Sequence, residues 1–109
     1  MTNYKYGIII PTVAVPEEFV PFFDTFLETV CDDTVIVLCV NSLNSQEGKK
    51  SIKVAKLCFE KIKTLKKFSN LDLHILESEV PVGWCVANNI GYEFLKKEGL
   101  PDFVTFMND

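Results

Sequence analysis

The chain of 109 residues contains no arginine, and all eleven of its basic residues are lysine. A site in this protein therefore has no planar guanidinium group that could hold a phosphate by two parallel hydrogen bonds. The formal net charge is −4, whereas nucleic-acid-binding domains are strongly basic or carry a basic patch. We therefore expect no nucleic-acid partner.

Long hydrophobic runs are also missing. The uninterrupted apolar segments, such as residues 8–10 and 35–40, have the length of buried strands at most and are far shorter than the about 20 residues that cross a bilayer. The first six residues show neither the basic region nor the apolar stretch of a secretory signal. The four cysteines include no Cys-x-x-Cys pair, which favours reduced thiols over a zinc site or disulfides. These absences predict a cytoplasmic protein without a transmembrane segment.

What the sequence does contain is a regular alternation of strand-like and helix-like patterns. We predict strands over residues 5–10, 34–40, 72–76 and 102–107, and helices over residues 17–30, 50–68 and from 83 to Gly99. The predicted inner faces are Ile52, Ala55, Cys58 or Phe59, Ile62 and Leu65 in the second helix, and Ala87, Ile90, Gly91, Phe94 and Leu95 in the third. This order predicts an α/β fold with Rossmann-like three-layer α/β/α architecture, a mainly parallel four-stranded sheet, and a single domain over residues 1–109.

Every predicted strand ends in small polar or acidic residues. The four strand ends are Pro11-Thr12, Asn41-Ser42, Glu77-Ser78 and Asn108-Asp109. Because ligands of parallel sheets bind beyond the carboxyl ends of the strands, these residues predict a site at that edge. The opposite edge shows no comparable set, and we interpret Asp32-Asp33 there as a turn.

The first two strand ends suit contacts to a flat base. A strand closed by Pro11 turns abruptly and leaves the backbone of Thr12 and Val13 available to a ligand. The amide of Asn41 offers both a donor and an acceptor to a base edge. The alternative interpretation is that Thr12 and Asn41 only cap turns.

Three segments carry a more specific signature: Ile9-Ile10-Pro11-Thr12, the loop from Val40 to Ser45, and Gly83-Trp84-Cys85-Val86-Ala87-Asn88-Asn89-Ile90-Gly91. The third segment matches the form Gly, three residues, Ala, any residue, Asn, any residue, Gly at every fixed position. Together the segments resemble the N-terminal, nucleotide-binding half of a family 2 glycosyltransferase with the GT-A fold. In that family the fourth strand leads into a DxD metal motif, which here begins at Asn108-Asp109.

The resemblance implies a nucleotide-diphospho-sugar partner and, in a complete enzyme, inverting transfer of the sugar to an acceptor hydroxyl. It implies nucleotide contacts by Pro11, Thr12, Val13, Asn41, Ser42, Gly83, Asn88 and Asn108, and a divalent cation (manganese or magnesium) held by Asp109. The family often has arginine where this chain has Asn88. The family's acceptor-binding half follows the DxD motif, so we expect this chain to bind a donor without transferring its sugar.

Several alternatives stay open. One is a non-catalytic α/β interaction module that has kept the fold, and another is a flavodoxin-like phosphoacceptor domain, although the latter needs acidic residues where Pro11-Thr12 stand. The eight lysines between residues 49 and 67 indicate either a solvated helix face, which we favour, or a polyanion site. An exposed fourth strand would allow a homo-oligomer to form through the sheet edge.

Overall fold

A computed structural model describes residues 3–14, 16–41, 46–78 and 83–108. The elements follow in the order β1 (Tyr6–Thr12), α1 (Pro16–Thr29), β2 (Thr34–Asn41), α2 (Gln46–Lys66), β3 (Leu71–Ser78), α3 (Gly83–Glu98) and β4 (Phe103–Phe106). The strands form one sheet in the order β3-β2-β1-β4, and every neighbouring pair is parallel. The predicted α/β fold is confirmed. Within the described ranges, no helix combines the length and apolar character needed to cross a bilayer.

Successive residues of the central strands point to opposite faces of the sheet and build two separate apolar layers. Ile10, Ile36 and Leu38 pack beneath α1 and α2. Ile9 and Val37 face the other way and pack beneath α3. Because both faces are covered, β2 is apolar along almost its whole length, as the sequence pattern indicated. The result is the expected three-layer arrangement.

The phenylalanines of α1 form the largest part of the first layer. Phe19 and Phe23 stack with ring centroids 5.4 Å apart, and Phe23 and Phe26 stack at 6.0 Å. All three rings are buried, and each contributes roughly 1.5–3 kcal/mol through removal of apolar surface from water. The acidic residues Glu17 and Glu18 lie in the first turn of α1, where the helix dipole favours negative charge. The helix α1, predicted over residues 17–30, thus presents an apolar stripe to the sheet.

The prediction that Pro11 ends β1 is wrong, because the strand continues through Thr12. Ile9 accepts a hydrogen bond from the backbone N–H of Met107, so the backbone groups of Ile9 face β4, and those of Pro11, two residues later, face the same side. The pairing of β1 with β4 stops at Ile9 and Phe106. The N–H that Pro11 lacks would therefore point beyond the end of β4, where the strand is locally an edge and proline is tolerated.

Two of the predicted helix faces need correction. Leu65 in the last turn of α2 is 66% exposed, whereas Ile52, Ala55 and Phe59 are buried as expected. Two successive steps of three residues rotate position 65 by about 120° from Phe59, which carries it out of the core. On α3, Ile90 is 40% exposed, so its predicted burial is also wrong. The helix buries Ala87, Gly91 and Leu95 as predicted, and it also buries Asn88.

Gly91, which lies on the predicted inner face of the third helix, allows α3 to approach the sheet closely. A Cβ atom at this position would lie 2.7 Å from Cγ2 of Ile9 and 2.9 Å from Sγ of Cys39, both of which belong to buried residues. Burial raises the pKa of the Cys39 thiol to about 11. All four cysteines are free thiols, in agreement with the expectation of reduced cysteines.

The outer edge of β4 is exposed. This four-residue strand pairs with β1 on one side, and its side chains Phe103 and Phe106 are 58% and 49% exposed. Such an edge can template pairing with another strand. Self-association through it stays a prediction.

The amino rim, which we define as the edge formed by the starts of the strands, is tied together by polar side chains. The carboxylate of Asp32 accepts hydrogen bonds from the backbone N–H groups of Ser69 at 3.1 Å and Asn70 at 2.8 Å, and from the Ser69 hydroxyl. The side-chain amide of Asn70 donates to the carbonyl of Asn3 at 2.9 Å and to Oδ1 of Asp33 at 2.7 Å. The sequence prediction that this edge carries no comparable polar set is therefore wrong.

Hydrogen bonding at the amino rim also shifts the pKa values of two side chains. The bond from the Ser69 hydroxyl, followed by the backbone N–H of Asn70, holds the pKa of Asp32 well below its ordinary value. Burial and a hydrogen bond to the Asp72 carboxylate raise the pKa of the Tyr4 hydroxyl above its ordinary value. The polar groups of this rim thus stabilise particular charge states while they join β2, β3 and the N-terminal segment.

Candidate functional site

The strand order creates a switch point at β1. From β1 the chain passes through α1 to β2 on one side, whereas it reaches β4 on the other side only after crossing through α3. The helices α1 and α2 lie on one face and α3 on the other. Ligands of open parallel sheets bind beyond the carboxyl ends of the strands at such a switch point, and we call this region, beyond the ends of β1 and β4, the crevice. We call the edge formed by the strand ends the carboxyl rim.

The turn after β1 is held by its own hydrogen bond. Oγ1 of Thr12, a residue that is 3% exposed, accepts from the backbone N–H of Ala14 at 2.9 Å. Ala14 is buried and has a φ of 56°, a left-handed conformation that costs on the order of 1 kcal/mol for a residue with a side chain. The Thr12 side chain thus caps the turn, as one of the two sequence interpretations held. The same turn leaves Val13 56% exposed at the rim.

The N-terminus of α3 lies at the same rim. Gly83 opens the helix with a φ of 76°, and no atom lies within 4 Å of the position that a Cβ would occupy. The first turn contains no acidic residue, so no carboxylate within the turn offsets the partial positive charge of the free backbone N–H groups. Such a helix end favours an anionic group of a ligand.

A hydrogen bond joins α3 to the segment after β4. The indole Nε1–H of Trp84 donates to Oδ1 of Asn108 at 2.7 Å, and Met107 is anchored to β1 through its bond to the Ile9 carbonyl. Trp84 is 53% exposed, so its ring borders the crevice and is open to solvent. No local pattern in the sequence indicates that residues 84 and 108 meet.

Asn88 is the most unusual residue of the rim. It is 6% exposed, and neither Nδ2 nor Oδ1 has a hydrogen-bond partner among the described residues. Leaving a buried polar group unpaired costs about 1–3 kcal/mol. The sequence prediction placed Asn88 among ligand contacts by resemblance, and no signal in the sequence indicated that it would be buried without a partner.

The position of Asn88 on α3 places it on the side of β4. It follows Trp84 by four residues, so the two side chains share one face of the helix, and Trp84 contacts Asn108. Ala87 and Ile90 lie on the other side, where they line a small cavity with Leu76 and residues at the ends of β2 and β3. The unpaired amide is therefore on the crevice side of the helix, one turn below Trp84.

That small cavity is not a nucleotide site. Its volume is about 30 Å³, enough for one or two water molecules, whereas ligand pockets usually measure several hundred Å³. By strand topology, the crevice at the ends of β1 and β4, next to the start of α3, is the better candidate.

The remaining predicted residues divide into two groups. The backbone of Asn41 pairs with Ser78 at the end of β2, next to the end of β1, but its side chain lies outside the described residues, as do Ser42 and Asp109. Pro11, Thr12, Val13, Gly83, Asn88 and Asn108 all lie at the carboxyl rim. Within the described ranges, no three His, Cys, Asp or Glu side chains form a group that could hold a metal ion.

No protein-family model, curated protein or solved structure matches this chain. The carboxyl rim itself is therefore the basis for a functional proposal.

Proposed function

We propose that the carboxyl rim binds a nucleotide-diphospho-sugar, and that the chain is the donor-binding part of a family 2-like glycosyltransferase with the GT-A fold. The observation that carries this proposal is the buried amide of Asn88, which has no partner among the described residues and lies beside the switch point of the sheet. A folded protein tolerates such a group at a binding site, where a ligand supplies the missing hydrogen bonds.

Each of the neighbouring residues would contact a different part of the ligand. The exposed turn at Val13 would contact the base, and Asn41 lies on the adjacent strand end to read its edge. The diphosphate would lie against the free N–H groups at the start of α3. The amide of Asn88 would supply two N–H donors and one acceptor, and the exposed ring of Trp84 would pack on the sugar or base.

A manganese or magnesium ion would bind together with the diphosphate. Hard divalent cations prefer oxygen ligands, and magnesium typically takes one or two protein carboxylates with the remainder from substrate phosphates and water. The carboxylate of Asp109 is the protein group that would hold it. When bound, the ion would stabilise negative charge on the departing diphosphate. We assign no general base, so we propose donor binding alone.

The test uses Trp84, the single tryptophan of the chain, as a fluorescent probe. Titration with UDP-, GDP- and dTDP-sugars in the presence of manganese should change its emission and release or absorb heat in a calorimeter, with a Kd below about 1 mM for one nucleotide. The variant Asn88→Leu should weaken that binding by roughly tenfold, the equivalent of one lost hydrogen bond of about 1.4 kcal/mol.

Asn89→Leu is the matched control. Asn89 is the exposed neighbour of Asn88 and lines the opposite side of α3 with Leu76 and Phe94, so its replacement should leave binding unchanged. If no nucleotide sugar produces heat or a fluorescence change, the donor-binding proposal is wrong, and the non-catalytic interaction module becomes the better interpretation. If both variants bind as tightly as the parent chain, Asn88 has no place in the site.

A further inference from the structure

The charge of the chain is concentrated on one helix. Between Gln46 and Lys66, α2 contains seven lysines and two glutamates, a formal charge of +5. The whole chain carries −4, so the remainder carries −9. The positive charge therefore lies on α2 itself, whereas the neighbouring helix α1 carries four acidic residues and no lysine.

Most of these lysines form no ion pair with a described side chain. The ion pair between Lys63 and Asp72 at 3.5 Å is the one salt bridge among the described side chains, and Lys66 donates to the backbone carbonyl of Glu28. The exposed lysines of the helix that make neither contact are Lys49, Lys50, Lys53, Lys56 and Lys61. The expected solvated helix face is thus present, and it carries an excess of uncompensated charge.

A leucine stands in the middle of this lysine face. Leu57 is 71% exposed, more than any other large apolar side chain described. It follows Lys53 and precedes Lys61 by four residues, so all three project from one side of the helix. The core-facing side of α2 is already filled by Ile52, Ala55 and Phe59, which means that Leu57 has no role in the described packing.

We propose that the lysine face of α2, defined as Lys50, Lys53, Lys56, Leu57 and Lys61, docks on an anionic lipid surface. Lysines near an anionic membrane are attracted to its negative potential, and an exposed leucine among them can bury its side chain at the boundary of the headgroups and acyl chains. The charge complementarity between these lysines and anionic headgroups, together with the exposed Leu57, favours a lipid surface as the partner.

A nucleic acid fits this face less well. Proteins that read or clamp nucleic acids use arginine forks on phosphates and bases together with aromatic stacking. The lysine face has no arginine and no exposed aromatic ring, and it places an apolar side chain at its centre. For a nucleic acid, Leu57 would lie against a charged backbone without a matching apolar surface.

The length and position of α2 allow its lysine face to lie along a membrane surface. With 21 residues, α2 is about 31 Å long, close to the longest dimension of the molecule, 34 Å. It lies on the face of the sheet opposite α3. A membrane docked on the lysine face would therefore leave α3 and its side of the carboxyl rim in solvent.

The experiment is vesicle flotation with the whole chain. Vesicles in which about a third of the lipid is phosphatidylserine should carry the protein upward at low salt, whereas neutral phosphatidylcholine vesicles should not. Binding should fall steeply as the ionic strength rises, because screening shortens the reach of the lysines. The double variant K53E/K61E should reduce the partition coefficient at least about 25-fold, since each lysine near the surface contributes a factor of about five.

Two further variants distinguish docking through the lysine face from a general effect of net charge. K96E/K97E makes the same change in net charge at the end of α3, across the sheet, and should bind anionic vesicles within about twofold of the parent chain. Leu57→Ser should weaken binding on the order of threefold, because one apolar side chain no longer leaves water. All substituted side chains except that of Leu57 are charged and exposed, and circular dichroism verifies that each variant is folded.

Each possible outcome either supports the proposal or overturns it. Binding that is selective for anionic vesicles, lost in K53E/K61E and kept in K96E/K97E supports it. Absence of binding, equal binding to neutral vesicles, or equal loss in both double variants overturns it. Tighter binding to a nucleic-acid duplex than to anionic vesicles, abolished by K53E/K61E, would also overturn it and reassign the face to a polyanion.

Discussion

At the amino rim the carboxylate of Asp32 accepts hydrogen bonds from Ser69 and Asn70, although the rim is largely open to water. At the carboxyl rim Asn88 is buried, and its amide has no partner among the described residues. The contrast is the reverse of what solvation alone would produce, because a buried amide needs a partner more than an exposed carboxylate does. The polar groups of the amino rim stabilise the fold, whereas the amide of Asn88 at the carboxyl rim is the basis of the ligand site proposed above.

The first prediction tests whether the carboxyl rim is simply loosely packed, which would explain Asn88 without a ligand. Gly91→Ala should lower the free energy of unfolding by about 2–3 kcal/mol, because the new methyl group would overlap Ile9 and Cys39 in a tight contact. Urea denaturation followed by circular dichroism measures the change. Asn89→Ala, at an exposed position of the same helix, should change stability by less than about 0.5 kcal/mol. Tolerance of Gly91→Ala would mean that α3 is not held closely to the sheet.

The second prediction concerns the amino rim. Asn70→Ala should destabilise the fold by about 1–2 kcal/mol, because its side chain donates to both the Asn3 carbonyl and the Asp33 carboxylate. The backbone bond from Asn70 to Asp32 would remain as a built-in control, since the substitution does not remove it. An unchanged midpoint in urea would show that this network does not contribute to folding.

The third prediction is an increase in stability, and it tests most directly whether the two rims differ. Asn88→Leu should raise the free energy of unfolding by about 1 kcal/mol, because an apolar side chain of similar size replaces an amide that is buried without a partner among the described residues. Asn70→Leu supplies the matched control at the amino rim, where the same replacement should be destabilising. If Asn88→Leu is as harmful as Asn70→Leu, the amide of Asn88 is satisfied in the folded protein and the two rims do not differ.

The smallest effect is expected from the pH dependence of Asp32, because this carboxylate is only partly buried. Its folded-state pKa is lowered, so its carboxylate stabilises the fold fully above the ordinary carboxyl pKa of about 4. That contribution is lost progressively as the pH falls below this value toward the lowered folded-state pKa. The difference in urea midpoint between the parent chain and Asp32→Asn should therefore be larger at pH 7 than at pH 3. A difference that does not change with pH would mean that ionisation of Asp32 plays no part.

Much of the fold was predictable because local periodicity is a strong signal. The phenylalanine stripe of α1 and the apolar run of β2 have helix and strand spacing respectively, and both elements lie where they were predicted. The errors arose where tertiary context decides. Pro11 continues β1 because the neighbouring strand ends before it, and Ile90 is exposed because the sheet contacts α3 along the line of Ala87, Gly91 and Leu95.

The candidate site was predictable in part. The polar strand ends and Gly83 were identified from the sequence, since parallel strands collect their carboxyl ends at one rim. The bond between Trp84 and Asn108 was not, because residues 24 positions apart meet only through the crossover that brings β4 beside β1. The burial of Asn88 was also not predictable, because the sequence around an asparagine in a helix does not indicate whether its side chain is buried.

The sequence by itself determined the order of strands and helices, the lysine content of α2 and the chemistry of the strand ends, because these follow from residue type and spacing. Only the tertiary structure decided that β4 lies next to β1, that the Asn88 amide is buried without a partner among the described residues, and that Leu57 projects among lysines outside the core. The physical reason is that spacing fixes which residues share a face of one element, whereas burial and pairing depend on surfaces contributed by elements far apart in the chain.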